Sequence, residues 1–414
     1  MEGNQRILDI ERVLESRSSI VHDQSRLIGS DLRSVFSGAA LVNWLLNNYN
    51  PTNIDKEGLV KVIRDELFDA NLPHQLIYSL DEGEGFKDSE KSSYRFIEDQ
   101  FKEFKKDKMI LNLYGNDTSN LQFFYESKGE GITKALEDLE KVAEEIYSNY
   151  LDETKTLVDY VALEESEVFN TRFIEAVTNL AYVDISPLIN DQNKLKAFFT
   201  NVYNLLAIHA VIVHYRSKTK IEISLIERAD FYTSYKYNIG GHNYTLNDIA
   251  HGVFRGNSSM GIDATSTVLE FTLGTKARND RFSGHDGRRK FVLLYLDPRT
   301  HFVLNPAIQS GAPLRYYTSE DLDFQFDVAA RQFCDKYAVI KSEKEKTVLE
   351  VPEIFKLYMF DFAKNEEALR YYIWSYKSDG EEKDNILNQI ENNNLPLRYA
   401  RLNLDLNNKK ENPQ

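Results

Sequence analysis

Cys334 is the only cysteine in 414 residues. A single thiol excludes an intrachain disulfide and any thiolate-rich metal site built from one copy of the chain, and it fits a reducing compartment. Met1-Glu2-Gly3-Asn4-Gln5-Arg6 has neither the basic start nor the apolar run of a secretory signal, so export is not expected. The most apolar stretch, Leu205 to Val213, is shorter than a membrane span and carries His209, with His214 just after it; a buried helix is expected there, not a transmembrane segment. Position two is not glycine and the ending Asn412-Pro413-Gln414 has no prenylation cysteine, so any membrane contact would have to come from the folded surface. Positive charge is in deficit. A formal net charge of −15 repels phosphate backbones and anionic lipid, which argues against a nucleic-acid partner. There is no Walker-type loop, no GxGxxG, no kinase signature and no Cys/His zinc spacing, and His209 and His214 lie off a common helix face, so neither a metal nor a cofactor is expected.

What is present is ample apolar surface: 42% hydrophobic and 12% aromatic residues, in a chain too long for one ordinary core. Ile7, Leu8, Ile10, Val13 and Leu14 recur at helical spacing. The run Phe36 to Leu46 reads as a helix started by Ser37 or Gly38, with Leu41, Val42, Leu45 and Leu46 around a core Trp44. A second helix follows Pro51, patterned on Leu59, Val60, Val62, Ile63, Leu67 and Phe68 and closing near Ala70-Asn71, before Pro73. Gln75 to Leu80 and Ser93 to Ile97 read as a hairpin around a Gly-rich acidic loop.

This arrangement resembles a DEP domain, the winged-helix module of signalling regulators. The matching residues are Phe36, Gly38, Leu41, Val42, Trp44 and Leu45, then the second helix, then Phe86-Lys87-Asp88 and Tyr94-Arg95-Phe96 at the wing, within about residues 20 to 98. The resemblance implies docking on a membrane-associated protein partner or a lipid, while charge argues against nucleic acid and weakens lipid affinity likewise. Between Arg26 and Glu98 twelve acidic residues face eight basic ones, the wrong sign for a phosphate footprint.

Beyond it, the charged Lys102 to Lys108 and the Gly, Asn, Asp and Ser of Tyr114 to Ser119 suggest a linker over 101–131. Ile132, Leu136, Leu139, Val142, Ala143 and Ile146 then mark an amphipathic helix that opens a larger domain over 132–407. A short tail, 408–414, has the Asn/Lys/Glu composition of a disordered end. In KAFFTNVYNLLAIHAVIVHY, Asn201, Tyr203 and Asn204 sit on one turn among hydrophobes; buried amides there must find partners, either as core clamps or as the wall of a pocket. Gly240-Gly241 marks a hairpin turn, and Leu246 to Val253 a short helix presenting His251. KFVLLYL and the run around His301, Asn305 and Ser310 read as strands, and the latter residues with His251 form the best candidate pocket.

From about Leu136 to Asn407 the chain resembles a family filed as domain of unknown function 547, on six ordered blocks: VDYVAL, FFTNVYN, NDIAHGVFRGN, DPRTHFVLN, VPEIFKLYMFDF and LPLRYARLNLDLN. Members of that family often carry a DEP domain, and they have been likened to papain-type thiol hydrolases, which implies a papain-like mixed α/β domain. The family pattern resembles HFALNCASxSCPPL. Carried over residue by residue, its two cysteines fall on Pro306 and Gly311, and the acid before its histidine falls on Ala250. Neither Pro306 nor Gly311 can ionise or attack, which leaves His251 and His301 as remnants without a nucleophile. Ser310 or Cys334 would be the only replacements, in a hydrolase with a displaced nucleophile. The expectation is therefore an α+β protein in two domains over 1–100 and 132–407, cytoplasmic or peripheral at a membrane. It would act as a noncatalytic signalling or scaffold protein, with a peptide or small ligand bound by Asn201, Tyr203, Asn204, His251, His301 and Asn305.

Overall fold

The computed structural model describes residues 7–24, 32–50, 52–68, 76–79, 86–96, 107–113, 131–216, 225–258, 281–284, 286–343, 346–392 and 395–409. The chain divides into two compact units, one comprising Met1–Ile132 with Ala181–Ser186 and Asn238–His242, the other the remainder. Helices combine with small sheets in an α+β fold.

In the first unit, Ser37 takes an extended conformation and its hydroxyl accepts from the Ala40 N–H at 3.1 Å, starting the helix Gly38–Asn48. Leu41, Val42 and Leu45 fall on its buried face. Gly38 is required by crowding, since a Cβ there would lie 1.8 Å from the Lys87 carbonyl oxygen. Asp55 caps Lys56–Ile63 by accepting from the Gly58 N–H at 2.8 Å, and one π-helical turn, Arg64–Phe68, extends that helix. Strands β1 (His22–Gln24), β2 (Leu32–Ser37), β3 (Ile77–Ser79) and β4 (Ser93–Phe96) form an antiparallel sheet in the order β1-β2-β4-β3. Phe36, Phe86, Tyr94 and Phe96 fill the core between sheet and helices.

Some expectations for this unit change. The first helix is broken into Ile10–Glu15 and Arg17–Ile20, with Leu8 and Val13 buried and Ile7 exposed. Trp44 is half-buried at the margin of the core, not inside it. The supposed linker is not all spacer: Ile110 and Leu113 are buried, and Asn112 clamps the backbone of Asn238, donating to its carbonyl at 2.8 Å and accepting from its N–H at 2.9 Å. The rest of that stretch before Gly131, the end of the second helix at Ala70-Asn71, and the hairpin loop over 80–85 lie outside the described residues.

In the second unit, Gln192–Arg216 runs through the core. Its segment Gln192–His214 is long and apolar enough to cross a membrane, yet 89% of its most apolar window is buried within the protein. His209 is buried with Nδ1 2.9 Å from the Tyr237 hydroxyl, and its ring meets Phe169 and Phe173 edge-on. Strands β5 (Lys236–Ile239) and β6 (His242–Thr245), whose turn Asn238–His242 is counted with the first unit, form the hairpin expected at Gly240-Gly241, both glycines at positive φ. Strands β7 (Val339–Glu343), β8 (Lys346–Pro352) and β9 (Leu397–Ala400) form a sheet, antiparallel between β7 and β8 and parallel between β8 and β9.

The two apolar runs read as strands form none: each begins in a 3₁₀ turn and continues as irregular chain. Asp286 starts Gly287–Phe291 and Asp297 starts Pro298–Phe302, each carboxylate accepting the N–H two residues on, and Pro298 suits the first position of a turn. Leu294 and Tyr295 project from the surface. The tail also begins later than its composition suggests: Asn407 is buried, and the Lys409 N–H donates to the Val158 carbonyl at 2.9 Å. Residues 410–414 lie outside the described residues.

Candidate functional site

Polar residues inside this core divide by how completely they are bonded. Asn201 donates to the Tyr317 carbonyl at 2.8 Å and accepts from the Tyr317 N–H at 2.9 Å. Asn204 does the same across one residue, donating to the Val303 carbonyl at 3.1 Å and accepting from the Asn305 N–H at 2.8 Å. Asn305 in turn donates to the Ala312 carbonyl at 2.6 Å and accepts from the Ala307 N–H at 2.8 Å. All three are nearly sealed from solvent. Asn201 and Asn204 are clamps that hold the central helix to the 303–317 segment, Asn305 ties that segment to itself, and none of the three is among the residues lining the cavity beside His251 and His301, where the sequence had placed them.

The histidines differ. Thr245 and Asp248 cap a π-helical turn, Asp248–Val253, reciprocally: the Thr245 N–H donates to Asp248 Oδ2 at 2.9 Å and the Asp248 N–H to Thr245 Oγ1 at 3.1 Å. Arg281 and Arg288 anchor the Asp248 carboxylate. Gly252 lets Phe282 pack against the turn, because a Cβ would come within 2.4 Å of its ring. His251 is thereby held facing a cavity of about 80 Å³, which Tyr203, Arg255, His301, Ser310 and Tyr358 also line. His301 sits on the 3₁₀ turn begun by Asp297, whose carboxylate is fixed by Arg299 at 2.8 Å and Lys196 at 3.1 Å.

One buried chain of contacts joins the two rings. Arg255 Nη1 lies 3.1 Å from His251 Nδ1. The same guanidinium donates from Nε to Asp361 Oδ2 at 2.5 Å and from Nη2 to Asp361 Oδ1 at 3.0 Å. Asp361 Oδ2 is also 2.8 Å from His301 Nε2. Beneath them the Tyr358 ring stacks on His301 at 4.4 Å between centroids and carries the Arg255 guanidinium at 4.7 Å.

Protonation follows from these contacts. A guanidinium only donates, so His251 Nδ1 is its acceptor and a neutral His251 carries its proton on Nε2. Burial, then the nearby Arg255 and Arg281 charges, push His251 well below its ordinary value and keep it neutral. Asp361 is pulled down to about 2 against the opposing effect of burial, by its bonds to His301 and Arg255, so it is an ionised acceptor. His301 therefore carries its proton on Nε2. Burial lowers its affinity for a second proton, although Asp361 works in the other direction. Among the described residues neither His251 Nε2 nor His301 Nδ1 has a hydrogen-bond partner. The cavity thus meets one N–H and one lone pair.

The candidate nucleophiles are elsewhere engaged. Ser310 lines the cavity, but its Oγ accepts from the Asn403 N–H at 2.7 Å and it bonds neither histidine. Cys334 is fully buried on the helix Leu322–Tyr337, away from the cavity lining, and burial pushes its thiol up to about 12. Ala250, Pro306 and Gly311 do line the cavity. A Cβ at Gly311 would fall 2.7 Å from Asn305 Oδ1 and 2.8 Å from the Ile308 carbonyl. Arg255, Tyr358 and Asp361 escaped the sequence reading. Arg255 was legible as the residue one helical turn after His251, and Tyr358 and Asp361 as an i, i+3 pair in the LYMFD run.

Among the described residues no cluster of histidine, cysteine or carboxylate groups could hold a metal ion. No curated protein and no solved structure matches the chain. Residues 189–334, which supply the central helix, the His251 turn and the His301 turn, match the protein family described as "Protein of unknown function, DUF547", and the chain carries a domain of that family.

Proposed function

We propose that the DUF547-containing unit is a noncatalytic binding domain for a small ligand, and that the N-terminal unit is a DEP-like docking module for a partner protein in cytoplasmic signalling, near a membrane. One observation carries the first half. His301, held by Asp361 as the base of a hydrolytic triad is held by its acid, faces a cavity whose wall includes Pro306 and Gly311, where the resembled family has cysteines. Gly311 supports this further, because the backbone there is packed too closely for a side chain. A cavity of about 80 Å³ suits a small molecule better than a peptide. For the N-terminal unit, the support is the order of helices, the wing strands β3 and β4, and the Gly38–Lys87 approach, all within the residues that resemble a DEP domain. Its partner class is a proposal from that resemblance.

A second reading, a hydrolase using Ser310, draws on Ser310 and His301 sharing one cavity. The two separate on treating the whole protein with fluorophosphonate and iodoacetamide probes. The binding domain leaves Ser310 and Cys334 unlabelled; labelling at Ser310 that disappears in His301→Gln would contradict it and establish the hydrolase.

A further inference from the structure

The binding-pocket reading leaves open what enters the cavity, and the walls narrow the choice. Arg255 and two histidines line it, and among the described residues no carboxylate does. An anion is therefore favoured over a cation. Arg255, however, is already matched by Asp361, which approaches it from the helix Met359–Phe362 in a two-point pair. Among the described residues the charges at the site are balanced when it is empty. An entering anion would bring an uncompensated charge into a buried space, which is strongly unfavourable unless a proton comes with it. Only one group at the cavity is built to take that proton. His301 Nδ1 has a lone pair without a partner, while Nε2–H is held by an ionised carboxylate that stabilises an imidazolium. His251 is unsuited, because protonation would place a second donor against Arg255.

One added positive charge balances one negative charge, so a monoanion fits and a phosphate dianion does not. The two ring nitrogens then both donate, a match for the two oxygens of a carboxylate. Leu304, Ile308, Phe333 and Leu357 supply apolar wall for a short chain, beside polar side chains such as Asn247, Thr300 and Ser310. The space admits roughly five water-sized groups. Resting on the binding-domain reading, we propose that the cavity takes up a short-chain monocarboxylate together with one proton from solvent, with His301 Nδ1 receiving the proton and His251 Nε2–H and His301 Nδ1–H gripping the two carboxylate oxygens. The charged and titratable groups around His301 are Asp361, Arg255, His251 and Tyr358, and none of the others gains a proton in the event.

Propionate is the probe. Calorimetric titration of the full chain in two buffers of different ionisation enthalpy reads the protons exchanged on binding. About one proton per propionate should be taken up above neutral pH, and the Kd should rise about tenfold per pH unit there. His301→Gln should abolish both the uptake and the pH dependence, while His251→Gln should weaken binding and leave the uptake in place, which guards against a single variant that fails to fold. Propanamide binding as tightly as propionate, with no proton exchanged, would overturn the carboxylate assignment and leave the binding domain standing. Silence with both probes would also overturn it, and labelling at Ser310 would sink the binding domain as well.

Discussion

Asn201, Asn204 and Asn305 on one side, and His251 and His301 on the other, are polar residues set among hydrophobes in the same core. Each asparagine spends both ends of its amide on a backbone pair. Each histidine spends one nitrogen on the Arg255–Asp361 pair and keeps the other for the cavity. A buried amide whose oxygen and nitrogen both bond backbone, and which stands away from the cavity, serves the fold. A polar group that is half bonded beside a void is where a ligand would repay the desolvation already incurred.

The contrast breaks most visibly at its hinge. Arg255→Met would leave the Asp361 carboxylate buried without its cation, and urea denaturation should show a loss of about 3–5 kcal/mol. Replacing both partners, as Arg255→Met with Asp361→Leu, should recover a large part of it. Recovery by neither change would mean that the pair is not the link between the rings.

The clamp half is tested by Asn204→Ala, which orphans the Val303 carbonyl and the Asn305 N–H. A loss of about 2–4 kcal/mol is expected. If the variant melts like wild type yet loses propionate, the asparagines belong to the site and the distinction collapses.

Acid sharpens the histidine half. Both rings are pushed below their ordinary value of 6.5, so the unfolded chain takes up protons that the fold refuses. Stability should therefore be full above pH 6.5 and fall as pH drops below it, by up to about 1.4 kcal/mol per pH unit for each ring. Asp361 acts in a lower window: its contribution is present above its ordinary 3.8 and is lost as pH falls toward about 2. Urea midpoints between pH 7.5 and 5, on wild type and His251→Gln, read the slope. It should be shallower in the variant, and an equal slope would deny that His251 is held neutral. At neutral pH, His251→Gln itself should shift stability least, by less than about 1 kcal/mol, since the ring's free nitrogen faces a void.

Much of the scaffold was legible in the sequence because it rests on local signals. Ser37 and Asp55 announce helix starts, Gly240-Gly241 announces a hairpin, and the apolar period marks Gly131–Asn149 and the long core helix. KFVLLYL misled because composition says apolar but not whether a neighbouring strand exists to pair with; Leu294 and Tyr295 end up exposed. The site was half legible. His251 and His301 stand out as residue types, and Tyr203 lines the same cavity, but the asparagines look alike whether they clamp or bind. Arg255 and Asp361 are 106 positions apart in the chain, and only the fold makes them one pair.

The most direct test is the proton on each ring. Long-range proton–nitrogen correlation spectra of the chain with labelled histidine, assigned with His251→Gln and His301→Gln, distinguish the two neutral tautomers from imidazolium. At pH 7.5, without ligand, both rings should be neutral with the proton on Nε2. An imidazolium at either position, or a proton on Nδ1 of either ring, would contradict a cavity that presents one N–H from His251 and one lone pair from His301.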